Sequence, residues 1–120
     1  MVNLDYKSGK SLHEQISDGI KTLIITKAMP EHQQLPSVRE LSITLTVNPN
    51  TVQKAYKVLE SEGFIYSIKG KGNFVSSIND AKNEKKLLEL YNSLESTIKE
   101  LLYLGESKEK IFNRIKEEAL

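Results

Sequence analysis

The sequence predicts a mainly α-helical fold with one small β-hairpin, and three observations support this fold class. Apolar residues recur at spacings of three and four along most of the chain, as they do in amphipathic helices. The stretch at 64–75 alternates instead and has glycines at its centre, which is typical of a hairpin. Only a few residues separate the two central helices. The pattern therefore predicts a winged helix-turn-helix followed by a C-terminal αα-hairpin.

Composition and charge exclude several classes of protein. The absence of cysteine excludes disulfides, thiolate catalysis and cysteine zinc sites, and it fits a reducing cytoplasm. No apolar run approaches the roughly 18 residues of a membrane span, and the first ten residues lack the apolar core of a signal peptide. Residues 1–78 hold nine Lys and Arg against seven acidic residues, whereas 79–120 hold eight against nine. We therefore expect a cytoplasmic protein without a membrane partner, slightly basic in its larger part.

A polar arm is predicted at 1–10, and a helix follows it. Ser11 and Glu14 form a capping box, in which each side chain pairs with a backbone N–H of the first turn. The helix is expected to reach about Lys27. Its single apolar stripe consists of Leu12, Ile16, Ile20, Leu23 and Ile24. A loop at 26–34 with little apolar content leads to the next element.

A helix-turn-helix is predicted at 35–63. Ser37 and Glu40 form a second capping box, Asn48 caps the second helix with a proline in its first turn, and Gly63 ends that helix. The inward face of the second helix consists of Val52, Ala55, Tyr56 and Leu59. Its opposite face carries Asn50, Gln53, Lys54 and Lys57. A polar, partly cationic face after a short turn is what a helix-turn-helix places in the major groove of DNA.

The period of the sequence changes after this helix. Alternation at 64–68 predicts a strand, Lys69–Gly72 supplies two glycines for a tight turn, and 73–75 returns as a second strand. In a DNA-binding protein, a hairpin with a basic tip is a wing. An ordinary hairpin, whose lysines only keep the tip soluble, is the alternative.

A long helix with a seam is predicted after caps at Asn79 and Asp80. Its seam residues follow a four-three spacing and are Leu87, Tyr91, Leu94, Ile98 and Leu101. A shorter helix follows Gly105. An αα-hairpin of this size has no closed core, so the winged domain, a second copy or both must cover its apolar faces. We expect a homodimer, with an arm at 1–10, a winged domain at 11–78 and a dimerisation segment at 79–120.

At these residues the chain resembles the N-terminal domain of the GntR family of bacterial transcriptional regulators. The matching segments cover 11–76 in the family's order and are SLHEQISDGIKTLI, LPSVREL, VNPNTVQKAYKVLESEGFIY and KGKGNFV. The short C-terminal extension is similar to that of the YtrA-like subfamily, whose members carry a two-helix dimerisation segment instead of a large ligand-binding domain. The resemblance implies a homodimeric DNA-binding regulator, most often a repressor, commonly tied to transporter operons.

The resemblance also implies which residues contact DNA. The family's positions correspond to Arg39 in the first helix, to Asn48, Asn50, Thr51 and Gln53 in the second, and to Lys69 and Gly70 in the wing. Two departures stand out. The loop reads Pro30-Glu31-His32 where the family usually has a Pro-Gly pair, which indicates a different path. Thr46 stands where a glycine is common, so the turn must avoid positive φ or carry strain.

Side-chain chemistry assigns roles to these candidates. Phosphates would be held by backbone N–H groups at the start of the second helix and by Ser37, Thr51, Lys54 and Lys57. Base edges would be read by Arg39, Asn50 and Gln53, since Arg suits guanine whereas Asn and Gln suit adenine. Lys69 and Lys71 would follow the backbone or enter the minor groove. A dimer would repeat these contacts on double-stranded DNA with a palindromic operator.

Several of these residues have a structural alternative. Arg39 could pair with Glu40 or another acid, Asn48 is first a helix cap, and Gln53 could be an ordinary solvated side chain. Tyr56 is interpreted as a core residue rather than a stacking platform.

Catalysis and metal binding have little support. His13 and His32 lie far apart without a shared motif, so no metal or cofactor is expected. The sequence has no P-loop, nucleophile elbow or HExxH, which argues against an enzyme. The alternative function is a winged-helix protein–protein interaction module without DNA binding. A small-molecule effector stays open as a partner, although no cluster of polar residues identifies its pocket.

Overall fold

A computed structural model describes residues 2–77 and 84–119, and the chain divides into two compact units, Met1–Asn83 and Glu84–Leu120. The elements in order are α1 (Leu12–Ile25), α2 (Val38–Leu45), α3 (Pro49–Ser61), β1 (Ile65–Ile68), β2 (Gly72–Val75), α4 (Glu84–Tyr103) and α5 (Lys108–Ala119). The predicted mainly helical fold with a winged helix-turn-helix and C-terminal helices is confirmed.

The core of the first unit is organised around α3, which packs against α1, α2 and β1. Its predicted inward residues are all buried, with Tyr56 among them. The core also draws on every neighbouring element through Ile16, Ile20, Leu41, Ile65 and Val75. The apolar stripes of α1 and α3 therefore meet as their spacings predict.

The segment before α1 is packed on that helix. Val2 is buried, and a Cβ added at Gly19 would lie 3.1 Å from both Val2 methyl carbons. The Gln15 side-chain amide accepts from the Asp5 N–H at 2.7 Å and donates to the Asp5 carbonyl at 2.9 Å. The residues predicted to form a polar arm thus belong to the same compact unit as the helices.

The loop after α1 contributes to the core more than its composition indicated. The helix ends at Ile25, two residues before the predicted end, because Lys27 adopts φ 64°, outside the helical region. The Met29 N–H then donates to the Leu23 carbonyl at 2.9 Å, and the Met29 side chain becomes a core residue that is 6% exposed.

The turn between α2 and α3 carries backbone strain at Thr46. This residue is the C-cap of α2 and adopts φ 55° and ψ 51°, the left-handed conformation. The conformation lets the Val47 N–H donate to the Ser42 carbonyl at 3.0 Å, which ends the helix. A β-branched residue pays about 1–2 kcal/mol for this conformation. Of the two outcomes expected where the family has glycine, the strained turn is the one observed.

Thr46→Gly is therefore expected to raise the free energy of unfolding by about 1 kcal/mol, because glycine adopts positive φ without the Cβ clash. The urea midpoint should rise at unchanged slope. Thr44→Gly, at the next-to-last helical residue of α2, is the matched control and should lower stability by roughly 0.3 kcal/mol. A fall in the midpoint for Thr46→Gly would show that the threonine makes a compensating contact.

A third extended segment pairs with β2 of the hairpin. β1 and β2 are antiparallel, with the register running from Ile65 opposite Val75 to Ile68 opposite Gly72. Part of the predicted loop lies along β2, since Gln34 pairs with Phe74 as an isolated bridge. The backbone hydrogen bonds of this segment are His32 N–H to Val75 C=O, Val75 N–H to Gln33 C=O and Leu35 N–H to Asn73 C=O, at 2.8–2.9 Å.

The second unit is a pair of helices joined by a short turn. Gly105 has φ 94° and follows α4, and the Ser107 hydroxyl accepts from the Lys110 N–H at 3.1 Å to cap α5. Among the described residues of α4, no side chain is fully buried. The predicted caps Asn79 and Asp80 lie outside the described residues.

Candidate nucleic-acid interface

The predicted DNA-contacting side chains of the first unit are at its surface. Ten of them are exposed: Ser37, Arg39, Asn48, Asn50, Gln53, Lys54, Lys57, Lys69, Gly70 and Lys71. Thr51, in the first turn of α3, is half-buried. Because the apolar face of α3 is fully used in the core, its amide and lysine side chains point to solvent.

Arg39 lies in the first turn of α2, whose start is held from two sides. The Ser37 hydroxyl accepts from the Glu40 N–H at 3.0 Å, and the Tyr56 hydroxyl donates to the Pro36 carbonyl at 2.7 Å. Tyr56 is buried, and this burial raises the pKa of its phenol, so it remains a hydrogen-bond donor. The predicted interpretation of Tyr56 as a core residue agrees with this position. α3 thereby fixes the turn that carries Arg39.

The guanidinium of Arg39 is available for an external partner. The predicted alternative was an ion pair with Glu40 or a neighbouring acid. Within residues 2–77 and 84–119, Arg39 has no carboxylate partner at ion-pairing distance. An exposed, unpaired guanidinium has all five donors free for an acceptor such as a guanine edge or a phosphate.

The start of α3 is fully capped within the protein. The Asn48 side-chain oxygen accepts from the Asn50 N–H at 2.8 Å, while its backbone carbonyl accepts from the Thr51 and Val52 N–H groups at 2.9 and 3.4 Å. Pro49, the first helical residue, has no N–H. This geometry does not support the expectation that backbone N–H groups there hold a phosphate. At this helix start, side chains are therefore the groups left for an external phosphate.

The exposed face of α3 is neutral and polar in its first turn and cationic in its middle, at Lys54 and Lys57. Its acidic residue Glu60 lies near the C-terminal end and accepts a hydrogen bond from the Ser67 hydroxyl. Lys54 and Lys57 form no ion pair with any other described residue. Their positive charge is therefore not compensated locally, which favours a polyanion as partner.

The hairpin tip adds a second basic feature. The Lys71 N–H donates to the Ile68 carbonyl at 2.9 Å and closes the turn. Gly70 lies inside this turn with φ 79°, a conformation that a residue with a Cβ rarely adopts. Lys69 and Lys71 flank it, and both side chains are exposed.

Two residues that touch the hairpin were missed by the sequence interpretation. Gln34 donates from Nε2 to the Lys71 carbonyl at 2.8 Å, and His32 Nδ1 lies 2.8 Å from the Tyr66 hydroxyl. Both belong to the stretch predicted as a loop. Its polar composition gave no sign of a strand, because such a segment gains its partner only through tertiary contact.

The second unit exposes the predicted seam of α4. Leu87, Tyr91 and Leu94 are 44%, 61% and 43% exposed. Ile98 and Leu101 are partly buried and line a groove with α5. An exposed apolar face of this length is typical of a protein–protein interface.

Other ligands have little support in the described part of the chain. There, no three His, Cys, Asp or Glu side chains are grouped as a metal ion would need. The helices of the described ranges are also too short or too polar to cross a membrane.

Comparison with known proteins places this geometry in a family. A sequence family described as bacterial regulatory proteins, gntR family, matches residues 12–75. The HTH-type transcriptional repressor YtrA of Bacillus subtilis strain 168 is 38% identical over 120 residues, covering 98% of this chain and 91% of the repressor.

Solved structures agree with this match over different lengths of the chain. A transcriptional antiterminator from Listeria monocytogenes EGD-e has a TM-score of 0.85 at 36% identity, covering all of this chain and 90% of its own. AraR(DBD) in complex with operator ORE1 has a TM-score of 0.55 at 28% identity, covering 63% of this chain and 93% of its own.

Proposed function

This chain belongs to the GntR family of bacterial regulatory proteins, and from that premise we propose that it is a repressor that binds a palindromic operator as a homodimer. That it is a DNA-binding transcriptional regulator and not an enzyme follows from the family. The sign of regulation, the form of the operator and the assembly are the further steps of the proposal.

The observation that carries the proposal is the uncompensated positive surface around the helix-turn-helix. The guanidinium of Arg39 and the ammonium groups of Lys54 and Lys57 are exposed, and no described carboxylate pairs with them. Exposed cations without ion-pair partners release counterions from DNA without first breaking a contact in the protein.

Each half-site would be read by a small set of side chains. Arg39 offers a planar fork for the O6 and N7 of guanine, and Asn50 and Gln53 offer amides for adenine. Lys54 and Lys57 would contact phosphates on the flanking backbone. Because the Asn48 side-chain oxygen already accepts the cap hydrogen bond, its unused amide N–H₂ is the group best suited to contact DNA.

Thr51 and the wing complete the proposed footprint. The hydroxyl of Thr51 and that of Ser37 lie at the starts of the two helices, where a phosphate contact would set the register. The exposed tip of Lys69, Gly70 and Lys71 is suited to the neighbouring minor groove. Its turn is narrow enough to enter, and its two cations are attracted by the negative potential of the groove.

The exposed seam of α4 supports the homodimer. A two-fold dimer covers the same patch on both subunits, so one apolar face suffices for both copies. The seam residues of this face are Leu87, Tyr91, Leu94, Ile98 and Leu101. Two-fold symmetry in the protein then requires two inverted half-sites in the operator, which is why the proposed site is palindromic.

Repression and its target are supported by similarity. The Bacillus subtilis relative is named a repressor and matches over nearly the whole of both chains. The YtrA-like resemblance extends the proposal to a transporter operon. The alternative, a protein–protein interaction module without DNA binding, gains no support from the surface, because such modules often lose the basic recognition face kept here.

Selection of bound sequences from random DNA tests the proposal most directly. Two inverted half-sites with one fixed spacing should emerge. A single half-site would contradict the dimer geometry, and no enrichment over random sequence would contradict specific DNA binding.

Operator affinity is expected to fall by on the order of 10³- to 10⁵-fold between 50 and 200 mM salt, because several lysines per dimer displace counterions. Lys54→Ala should weaken binding to operator and random DNA alike. It should also reduce the slope of log affinity against log salt concentration by about two per dimer. Lys7→Ala, a similarly exposed lysine outside the proposed footprint, is the control. Salt-independent affinity in a fluorescence anisotropy titration would contradict the phosphate contacts.

A further inference from the structure

The outer face of the hairpin is held by a segment distant in sequence. In the extended segment 33–35, side chains alternate between two faces, so Gln34 is exposed while Leu35 is buried. His32 lies in the turn before this segment, with φ 64°. His32 reaches the base of the hairpin through the Tyr66 hydroxyl, and Gln34 reaches its tip through the Lys71 carbonyl.

The contact at the tip is close and directional. Gln34 Nε2 lies 2.8 Å from the Lys71 carbonyl oxygen. The next residue, Gly72, has φ 124°, and a Cβ there would lie 2.9 Å from the same Nε2. The backbone at 71–72 therefore passes directly under the Gln34 amide, and a side chain at position 72 would displace that amide.

A short hairpin needs such support if its tip is to be ordered. The two strands have four residues each, and an isolated two-stranded hairpin of this size is marginal in water. Gly70 in the turn lowers the cost of alternative tip conformations further. Gln34 adds a hydrogen bond from outside the hairpin at Lys71, the second lysine of the tip.

We propose that Gln34 is a positioning residue for the basic wing tip: its amide holds the Lys71 carbonyl and so fixes the direction in which Lys69 and Lys71 meet DNA. This inference rests on the proposed DNA contact of the wing. Gln34 itself touches the hairpin backbone, and its effect on DNA passes through the two lysines.

The test compares three variants of the full chain. Gln34→Met keeps the length of the side chain but lacks the donor, Gln34→Arg restores a donor, and Gln33→Met is the control on the neighbouring residue. Amide hydrogen exchange at Lys71 and Gly72 is measured on the free protein by NMR. Affinity is measured on the selected operator, with Lys69→Ala/Lys71→Ala as the reference for loss of the wing.

Removing the donor is expected to speed exchange at the tip and to weaken operator affinity roughly two- to tenfold, the effect of one net hydrogen bond. Gln34→Arg should return the exchange rates toward those of the natural sequence, and Gln33→Met should leave both readouts unchanged. Recovery in Gln34→Arg is judged on amide hydrogen exchange and not on affinity, because the added charge of arginine by itself raises affinity for DNA.

The outcomes separate this inference from the proposed function. Unchanged exchange in Gln34→Met would overturn the positioning role, whatever the wing does. Faster exchange with unchanged affinity, while Lys69→Ala/Lys71→Ala binds weakly, would show that the wing needs no support from Gln34 and would also overturn it. Unchanged affinity of the lysine double variant would instead overturn the wing contact, and with it the DNA part of the inference.

Discussion

Arg39→Ala is expected to lose specific operator binding while the protein stays folded. The side chain is exposed and has no carboxylate partner in the described part of the chain, so its removal breaks no internal contact. One bidentate contact to a base contributes about 1–3 kcal/mol, and a dimer makes it twice, so operator affinity should fall on the order of 10²- to 10⁴-fold. The free energy of unfolding, measured by urea denaturation, should change by less than about 0.5 kcal/mol.

The matched variant is Arg39→Lys, which keeps the charge and loses the planar fork. We expect it to bind random DNA nearly as well as the natural sequence and to discriminate poorly between operator and random DNA. Anisotropy titrations on both duplexes, at one salt concentration, measure this ratio. Undiminished operator affinity of Arg39→Ala would remove Arg39 from the site.

Leu94→Glu/Ile98→Glu is expected to give monomers. Leu94 is 43% exposed and Ile98 partly buried, and both lie on the proposed seam of α4. Four carboxylates in one two-fold interface would be buried without cationic partners, at a cost of several kcal/mol. Sedimentation at micromolar concentration should show one chain per particle, and operator affinity should fall because each monomer holds only one half-site.

Two controls keep this prediction specific. Glu95→Gln/Lys99→Gln alters exposed polar positions of α4 and should remain dimeric. Leu94 and Ile98 both line the groove with α5, so loss of the helix pair could be mistaken for loss of the dimer. Leu87→Glu/Tyr91→Glu lies outside that groove, and circular dichroism reports the helical content of both. A persistent dimer in both seam variants would place the interface elsewhere.

The sequence predicted the elements of this fold because their signals are local. The side chains of Ser11, Ser37 and Asn48 pair with backbone N–H groups two or three residues away, so each cap is visible in the sequence itself. The two faces of α3 follow from its own periodicity in the same way. The family resemblance added named candidates for DNA contact, and the variants above test them.

Contacts between distant residues determined the features that the sequence did not predict. Thr46 takes a strained conformation because the packing of α2 on α3 determines the turn more strongly than the preference of one residue. Met29 enters the core although its neighbours Ala28 and Pro30 are exposed. Gln34 meets Lys71, 37 positions away, only when the segment at 33–35 lies along β2.

The division has one physical reason. Caps and periodicity act through a few bonds of the chain and are encoded in neighbouring residues, so the sequence alone determined the helices, the hairpin and the polar face of α3. Strain, sheet extension and core membership depend on which surfaces meet after folding. Only the tertiary structure therefore decided how the turn before α3 is formed and what holds the wing.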